Sequence, residues 1–273
     1  MPYAPVNGID LYYTDHGSGT PIVFAHGVGG NHASWHEQVA CFSRWYRVIA
    51  FDHRGFGNSR DVPDSPGRSA FVGDLTGLLD HLGIRQAVVV AQSMGGGTAL
   101  GFALDHTDRV LALVMADTLG GITAPGRLAQ RLEEVRSATD GLSQADRVVS
   151  RAFQEREPGR TQLYLEIASF NAANRRNLRG SAPAVPPTPA DLQRLANTPV
   201  LFLVGSDDVL VPADVAKLGQ EMVPNAHYLL VPDAGHSAYF ERPDAFNQIL
   251  YTFLAEHGLG PVVAAPATAA AAR

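Results

Sequence analysis

The sequence is poor in two residue types that often build functional sites. Its 273 residues include one cysteine, Cys41, and one lysine, Lys217. A single cysteine excludes an internal disulfide framework and any zinc or iron–sulfur centre held by several cysteines. Long apolar runs are also missing, because none reaches the roughly 18 residues that a membrane-spanning helix needs. The formal net charge of −6 disfavours a generally basic surface for nucleic acid.

What remains is the composition of a globular protein, with 45% apolar and 18% charged residues. The first four residues, Met-Pro-Tyr-Ala, show no basic stretch leading into an apolar one, so no signal peptide is evident. We therefore expect a cytoplasmic protein that acts on a small-molecule substrate, with no membrane or nucleic-acid partner. The sequence leaves the oligomeric state open.

Short apolar runs alternate along the chain with longer amphipathic ones. Helical spacing of apolar residues predicts helices at Phe71–Leu82, just before Gly83, and at Ala245–Leu254. Ile9–Thr14 alternates between apolar and polar residues, which predicts an antiparallel edge strand. Strands that are apolar on both faces and separated by helices indicate an α/β fold with a mostly parallel sheet flanked by helices. The short β-branched runs that predict these buried strands are Pro21–Ala25, Arg47–Phe51, Ala87–Ala91, Val110–Ala116, Pro199–Val204 and His227–Val231.

Residues 120–197 interrupt this alternation, because they contain no convincing buried strand. This predicts a helical lid inserted into a core made of residues 1–119 and 198–257. Residues 258–273 are rich in alanine and proline without periodicity, which predicts a flexible tail. Within the lid, helical patterns near Pro125–Thr139, Ser143–Gln154 and Thr161–Asn177 are followed by a loop that contains Pro183, Pro186, Pro187 and Pro189.

The predicted lid is basic although the chain as a whole is acidic. It carries 11 Arg against 8 Asp and Glu, whereas the rest of the chain carries 10 basic and 19 acidic residues. Arginines on the outer faces of solvated helices explain this surplus most simply. The alternative is that lid arginines select substrates that bear a carboxylate.

The segment 91–97, Ala-Gln-Ser-Met-Gly-Gly-Gly, lies between a predicted strand and a helical run. A sharp strand–turn–helix connection lifts a serine oxygen clear of a sheet, and small neighbouring residues permit the turn. Ala91 stands where the Gly-x-Ser-x-Gly pattern has its first glycine. A serine beside glycines is often just a helix cap, but the strand–turn–helix setting favours Ser93 as a nucleophile.

Three further loops follow predicted strands and carry the other groups that a serine nucleophile needs. In the loop His-Gly-Val-Gly-Gly at residues 26–30, the backbone N–H of Val28 would pair with that of Met94 to stabilise an oxyanion. His236 follows the strand His227–Val231 and is the candidate base. The candidate acid lies in Asp207-Asp208, after the strand Pro199–Val204. The chain order of serine, acid and histidine is the order that this elbow chemistry requires.

These residues resemble the α/β-hydrolase superfamily over nearly the whole chain. The resemblance selects Asp208 as the acid, because Asp208 lies three residues after Gly205 and four before Pro212, as in the family pattern. Asp117 is a minor alternative, since some relatives carry the acid at that strand end. The implied mechanism is hydrolysis of an ester, lactone or similar acyl bond through an acyl-enzyme, without a cofactor or metal. The general pattern is similar to that of 3-oxoadipate enol-lactonases and carboxylesterases.

Single residues argue for or against several other activities of this superfamily. Ser93 argues against dehalogenases and epoxide hydrolases, which resemble the chain but use aspartate at the elbow. Val28 stands where cofactor-free haloperoxidases often carry a tryptophan, which weakens that interpretation. Meta-cleavage C–C hydrolases share the serine triad and remain an alternative. So do hydrolase-like signalling proteins that bind a ligand with little turnover, and fold relatives that catalyse no hydrolysis.

Two aromatic side chains near the glycine loop are candidate substrate-lining residues, Trp35 and His32. Trp35 is more simply explained as a packing residue. His32 and His36 are four residues apart, as two ligands on one helix face would be, but no third ligand has a matching spacing. We therefore predict no metal site.

Overall fold

The computed structural model describes residues 2–64, 66–171 and 186–261. An eight-stranded sheet runs through them in the order β1-β2-β4-β3-β5-β6-β7-β8. The pairs β1–β2 and β2–β4 are antiparallel, and the other neighbouring pairs are parallel. The strands are β1 Tyr3–Val6, β2 Ile9–His16, β3 Pro21–Ala25, β4 Arg47–Phe51, β5 Ala87–Gln92, β6 Val110–Ala116, β7 Val200–Gly205 and β8 His227–Val231.

The helices cover both faces of the sheet, as the apolar strands require. Along β5, Val88 and Val90 enter one core, and Ala87, Val89 and Ala91 enter the other. This confirms the predicted α/β class with its mostly parallel sheet. The helices are α1 His36–Phe42, α2 Phe71–His81, α3 Met94–Asp105, α4 Arg127–Thr139, α5 Gln144–Val148, α6 Arg151–Arg156, α7 Pro158–Ser169, α8 Pro189–Leu192, α9 Ala213–Gln220, α10 Ala238–Glu241 and α11 Pro243–Glu256.

Two strand predictions were wrong in part. The predicted strand at Ile9–Thr14 exists as β2 but does not form the edge, because β1 pairs with its outer side. β8, predicted to be buried, is itself an edge strand, and Leu229 and Leu230 are 45% and 39% exposed. An apolar run of five residues looks the same in a central strand and in an edge strand, so the sequence pattern did not separate the two cases.

The described residues between β6 and β7 form helices α4–α8, with a 3₁₀ turn at Gln193–Leu195, and contain no strand. The single helix predicted over Ser143–Gln154 is two helices, because the Ser150 side chain accepts a hydrogen bond from the Phe153 N–H and starts α6 afresh. The predicted proline loop also contains a helix, since Pro189 begins α8 behind a Thr188–Asp191 capping box.

Parts of three predictions lie outside the described residues. They are the end of the helix predicted over Thr161–Asn177, the first part of the proline loop, and the tail beyond residue 261. Among the helices that are described, none combines the length and the apolar character needed to cross a membrane.

Candidate active site

Ser93 lies on a tight connection between β5 and α3. Its φ of +50° and ψ of −116° place it in a conformation that non-glycine residues rarely adopt. Two hydrogen bonds hold the turn, because the Ser93 N–H donates to the Ala116 carbonyl over 3.1 Å and the Thr118 hydroxyl donates to the Ser93 carbonyl over 2.7 Å. The backbone is therefore fixed on both sides of the serine while its side chain stays partly exposed.

The glycines after Ser93 allow α3 to approach the sheet closely. A Cβ on Gly95 would lie 2.4 Å from the Ala25 carbonyl oxygen, and a Cβ on Gly96 would lie 2.4 Å from the Thr118 side chain. Gly97 is different, since nothing lies within 4 Å of the position a Cβ would take. The predicted strand–turn–helix setting of the serine is confirmed, and Ala91 fits the position of the missing glycine at the buried end of β5.

His236 and Asp208 complete a linear arrangement with Ser93. The Ser93 Oγ is 2.8 Å from the His236 Nε2, and the His236 Nδ1 is 2.9 Å from the Asp208 Oδ2. A carboxylate only accepts, so Nδ1 carries the proton and Nε2 is left to accept from the serine hydroxyl. The other Asp208 oxygen accepts from the N–H groups of Leu210 and Val211 at 2.7 and 2.9 Å. Both His236 and Asp208 are buried, so the hydrogen bond between them is shielded from water.

Asp117, the alternative acid, has a different place in the structure. It is fully buried at the end of β6 and accepts hydrogen bonds from the Gly205 N–H at 2.8 Å and the Ala238 N–H at 3.2 Å. It therefore braces the two loops that carry Asp208 and His236. Burial raises the pKa of Asp117 well above its ordinary value, and the neighbouring Asp208 raises it further.

The loop that carries His236 is fixed by contacts with the helical insertion. The buried Glu241 carboxylate accepts from the Gly235 N–H at 2.9 Å and from both the N–H and the hydroxyl of Ser150, at 3.1 and 2.7 Å. The Ser237 hydroxyl donates to the Tyr164 hydroxyl at 3.1 Å. Burial raises the pKa of Glu241. No local sequence pattern marks Glu241, because its partner Ser150 lies 91 residues away in the sequence.

The glycine loop after β3 passes directly beside the serine. A Cβ on Gly27 would lie 2.9 Å from the Ser93 Cβ and 2.1 Å from the Gln92 Oε1. His26 anchors the loop, since its Nε2 accepts from the His53 N–H at 3.0 Å and its Nδ1 donates to the Gly27 carbonyl at 2.8 Å. Complete burial lowers the pKa of His26 to about 4, so the ring is neutral near neutral pH.

Two cavities open at Ser93. The smaller cavity, of about 380 Å³, lies on the side of the glycine loop and the insertion. The larger cavity, of about 770 Å³, extends along α3 from Ser93 and Met94 toward Arg68, Pro186 and Arg194. Val28 and Met94, the predicted oxyanion donors, each line a different one of these two cavities. The described residues that line the smaller cavity are Val28, Gly29, Gln92, Ser93, Gln144, Arg147, Val148, Tyr164, Leu210 and His236.

The two predicted substrate-lining residues lie elsewhere. Trp35 is fully buried between the rings of Phe24 and Tyr239, with centroids 4.8 and 4.1 Å away, so it is a packing residue, which was the simpler of its two interpretations. His32 lies beside Asp52, 2.8 Å from its carboxylate, and its ring is 4.6 Å from that of Tyr12. The prediction followed nearness in sequence to Val28, but the 3₁₀ turn that starts at His32 directs both side chains away from the cavities.

No group of three or more His, Cys, Asp or Glu side chains suited to a metal ion occurs in residues 2–64, 66–171 and 186–261. The pair His32 and His36 does not form a site either. The Nδ1 of His36 is 3.2 Å from the Ala33 carbonyl oxygen, whereas His32 is engaged by Asp52.

Comparisons with known proteins agree with this architecture. The model of the alpha/beta hydrolase family matches residues 22–249. A non-heme haloperoxidase of Rhodococcus erythropolis is 29% identical, over 93% of this chain and 99% of that protein. The structure of a thermophilic esterase from Thermogutta terrifontis, with malate bound, superimposes with a TM-score of 0.78 and 26% identity, over 94% of this chain and 98% of that one.

The enol-lactonase from Burkholderia xenovorans LB400 is also similar in structure. Its TM-score is 0.75 with 28% identity, and the match covers 93% of this chain and all of that chain. The family match spans most of the sequence and includes β5, β7 and β8, the strands that precede Ser93, Asp208 and His236. The protein is therefore a hydrolase that belongs to the alpha/beta hydrolase family.

Proposed function

We propose that the protein hydrolyses a carboxylic ester or lactone of a small molecule with Ser93 as nucleophile, His236 as base and Asp208 as the acid that orients the histidine. The observation that carries the proposal is the hydrogen-bonded line from the Ser93 Oγ through His236 to Asp208, with distances of 2.8 and 2.9 Å. The esterase and enol-lactonase among the similar structures support the choice of bond.

The reaction proceeds in two halves. The Nε2 of His236 takes the Ser93 proton while Oγ bonds to the substrate carbonyl carbon, and the resulting oxyanion accepts from the N–H groups of Val28 and Met94. Met94 is the first residue of α3, so its N–H has no partner within the helix and is free for this task. The carbonyl re-forms, the carbon–oxygen bond to the leaving group breaks, and His236 gives the leaving oxygen its proton.

Water completes the cycle. His236 removes a proton from a water molecule, whose oxygen attacks the acyl carbon, and the bond to Ser93 breaks as the proton returns to the serine oxygen. Asp208 stabilises the positive charge that His236 carries in each half. No step needs a cofactor or a metal ion, and we propose that a small molecule is the only partner in the reaction.

The test compares p-nitrophenyl acetate and butyrate hydrolysis by the wild type and by Ser93→Ala. We expect many turnovers in the wild type and a fall of on the order of 10⁴ or more in the variant, because the nucleophile is gone. Ser169→Ala, which removes an exposed hydroxyl at the end of α7, is the matched control and should keep full activity.

Three results would count against the proposal. Turnover that survives in Ser93→Ala would remove Ser93 from the mechanism. A single stoichiometric burst that changes thermal stability would favour the ligand-binding alternative. No activity, together with no labelling of Ser93 by a fluorophosphonate, would show that the serine is not activated.

A further inference from the structure

The smaller cavity beside Ser93 contains a cationic side chain. Arg147 lies on α5 and lines this cavity together with Ser93, His236 and Val28. As far as the described residues show, the lining includes no Asp or Glu. Asp208, the nearest acid of the catalytic line, is 4% exposed and engaged by His236. Arg147, which is also exposed to solvent, thus brings a positive charge to the lining of a cavity whose described residues include no acid.

The guanidinium of Arg147 donates one hydrogen bond within the described part of the chain. Its Nη1 donates to the Thr139 carbonyl at 3.3 Å, and within the described part of the chain it forms no ion pair with an acid. Its sequence neighbour Asp146 is occupied by Ser143 and Gln154. A guanidinium carries five N–H donors, so most of them are left for a ligand.

Other arginines of the insertion are engaged in ways that Arg147 is not. Arg131, Arg136 and Arg151 each pair with an acid. Arg156 and Arg160 lie over the ring of Phe153, 5.9 and 5.4 Å from its centroid. These five arginines of the insertion thus form ion pairs or stack on an aromatic ring. Among the described arginines, Arg147 is the one that lines the smaller cavity, and it does so without an acidic partner among the described residues.

We propose that Arg147 binds a carboxylate of the substrate, so that the enzyme selects short esters or lactones with a carboxylate a few bonds from the scissile carbonyl. Arginine suits this task because its planar fork matches a carboxylate with two parallel hydrogen bonds. The cavity volume of about 380 Å³ equals roughly a dozen water-sized volumes, which suits a four- or five-carbon acid. The inference rests on the proposed function and narrows its substrate class.

The test uses two methyl esters of nearly the same shape. Monomethyl succinate carries a carboxylate, and methyl succinamate carries a neutral amide in its place. We expect the wild type to show the lower KM for monomethyl succinate. Arg147→Gln should raise that KM about 10- to 100-fold, the usual effect of losing a hydrogen bond to a charged group, and raise the KM for methyl succinamate much less, because its amide is neutral.

Two further variants separate recognition from structure. Arg147→Lys should recover part of the preference, because it keeps the charge but loses the fork. Arg151→Gln is the matched control, since Arg151 is a 90% exposed arginine of the same insertion, and it should change neither KM. Added salt should narrow the wild-type preference for the charged ester, because mobile ions screen a partly exposed pair.

Binding of succinate by calorimetry keeps the inference testable apart from turnover. Succinate that binds the wild type and not Arg147→Gln supports it, even if neither ester is hydrolysed. Equal binding to both proteins, or none to the wild type at millimolar succinate, overturns it. If both esters are hydrolysed through Ser93 but Arg147→Gln leaves both KM values unchanged, the inference fails while the proposed function stands.

Discussion

Ser93 and His236 are hydrogen-bonded neighbours, yet different kinds of contact position them. The serine is held by close backbone packing, with Gly95 against the Ala25 carbonyl and two hydrogen bonds to the end of β6 and the residues after it. The histidine is held by buried polar side chains, chiefly Glu241 and Tyr164, which connect its loop to the helical insertion. Close packing of α3 on the sheet positions Ser93, whereas hydrogen bonds between segments distant in the sequence position His236.

This difference determines how each side responds to change. An added methyl group on Gly95 meets backbone atoms that cannot move without shifting the sheet. Beside His236, a lost acceptor leaves buried N–H groups unpaired. The insertion is consequently part of the structure that holds the base in place, and it contributes to the site from both Ser150 and Arg147.

The largest effect is expected from Gly95→Ala. Its Cβ would lie 2.4 Å from the Ala25 carbonyl oxygen, so β3 and α3 must separate. We expect the free energy of unfolding to fall by about 1–3 kcal/mol or more. Displacement of Ser93 by about an ångström would also lower kcat/KM about 100-fold. Urea unfolding and ester hydrolysis measure the two effects.

Gly97→Ala is the matched control for this substitution. The added Cβ meets nothing within 4 Å, and alanine favours a helix over glycine, so stability should rise by about 0.4–1 kcal/mol with activity retained. Equal losses in the two variants would mean that close packing does not position the serine.

An intermediate effect is expected from Glu241→Gln. The amide has one acceptor oxygen where the carboxylate serves Gly235 on one oxygen and Ser150 on the other, so a buried donor loses its partner. We expect a loss of about 1–3 kcal/mol in the free energy of unfolding and a lower kcat. Glu155→Gln, an exposed residue paired with Arg151, should show neither change. An unaltered kcat in Glu241→Gln would show that this contact does not position His236.

The smallest effect is expected from Asp117→Asn and appears as a pH dependence. Because the pKa of Asp117 is raised on folding, the folded protein holds a proton that the unfolded chain releases above its ordinary pKa of 3.8. The free energy that Asp117 contributes to folding therefore has its full value below pH 3.8. It declines as the pH rises from there toward the pKa that Asp117 has in the folded protein. Asparagine does not titrate, so the destabilisation caused by the substitution should shrink as pH rises.

Urea unfolding of both proteins at about pH 5 and about pH 8 measures this difference. Glu241, whose pKa burial also raises, titrates in both proteins, and its charge is one of the causes of the raised Asp117 pKa. A destabilisation that grows with pH would contradict the assigned direction of the Asp117 shift.

Features encoded by neighbouring residues were predictable from the sequence. The strands of the parallel sheet, the strained serine and the order of Ser93, Asp208 and His236 each follow from a short motif after an apolar run. The resemblance to the family pattern also favoured Asp208 over Asp207, and the structure places Asp208 against His236. These features need no knowledge of which distant segments meet.

Features that depend on distant contacts were not predictable in this way. β1 is four residues long and contains Pro5, so its sequence gives a weak strand signal although it pairs with β2. The burial of Trp35 is set by Tyr239, some two hundred residues later. The role of Glu241 required knowing that Ser150 lies beside it, a separation of 91 residues.

The separation of 143 residues between Ser93 and His236 also has a consequence for the newly made chain. At about 5–20 residues per second, a ribosome adds this segment in roughly 7–30 s. During that interval the turn at Ser93 can fold on the first strands while its proposed base has not yet been made. We expect the emerging polypeptide to carry an inert serine until β8 and the loop after it have left the ribosome.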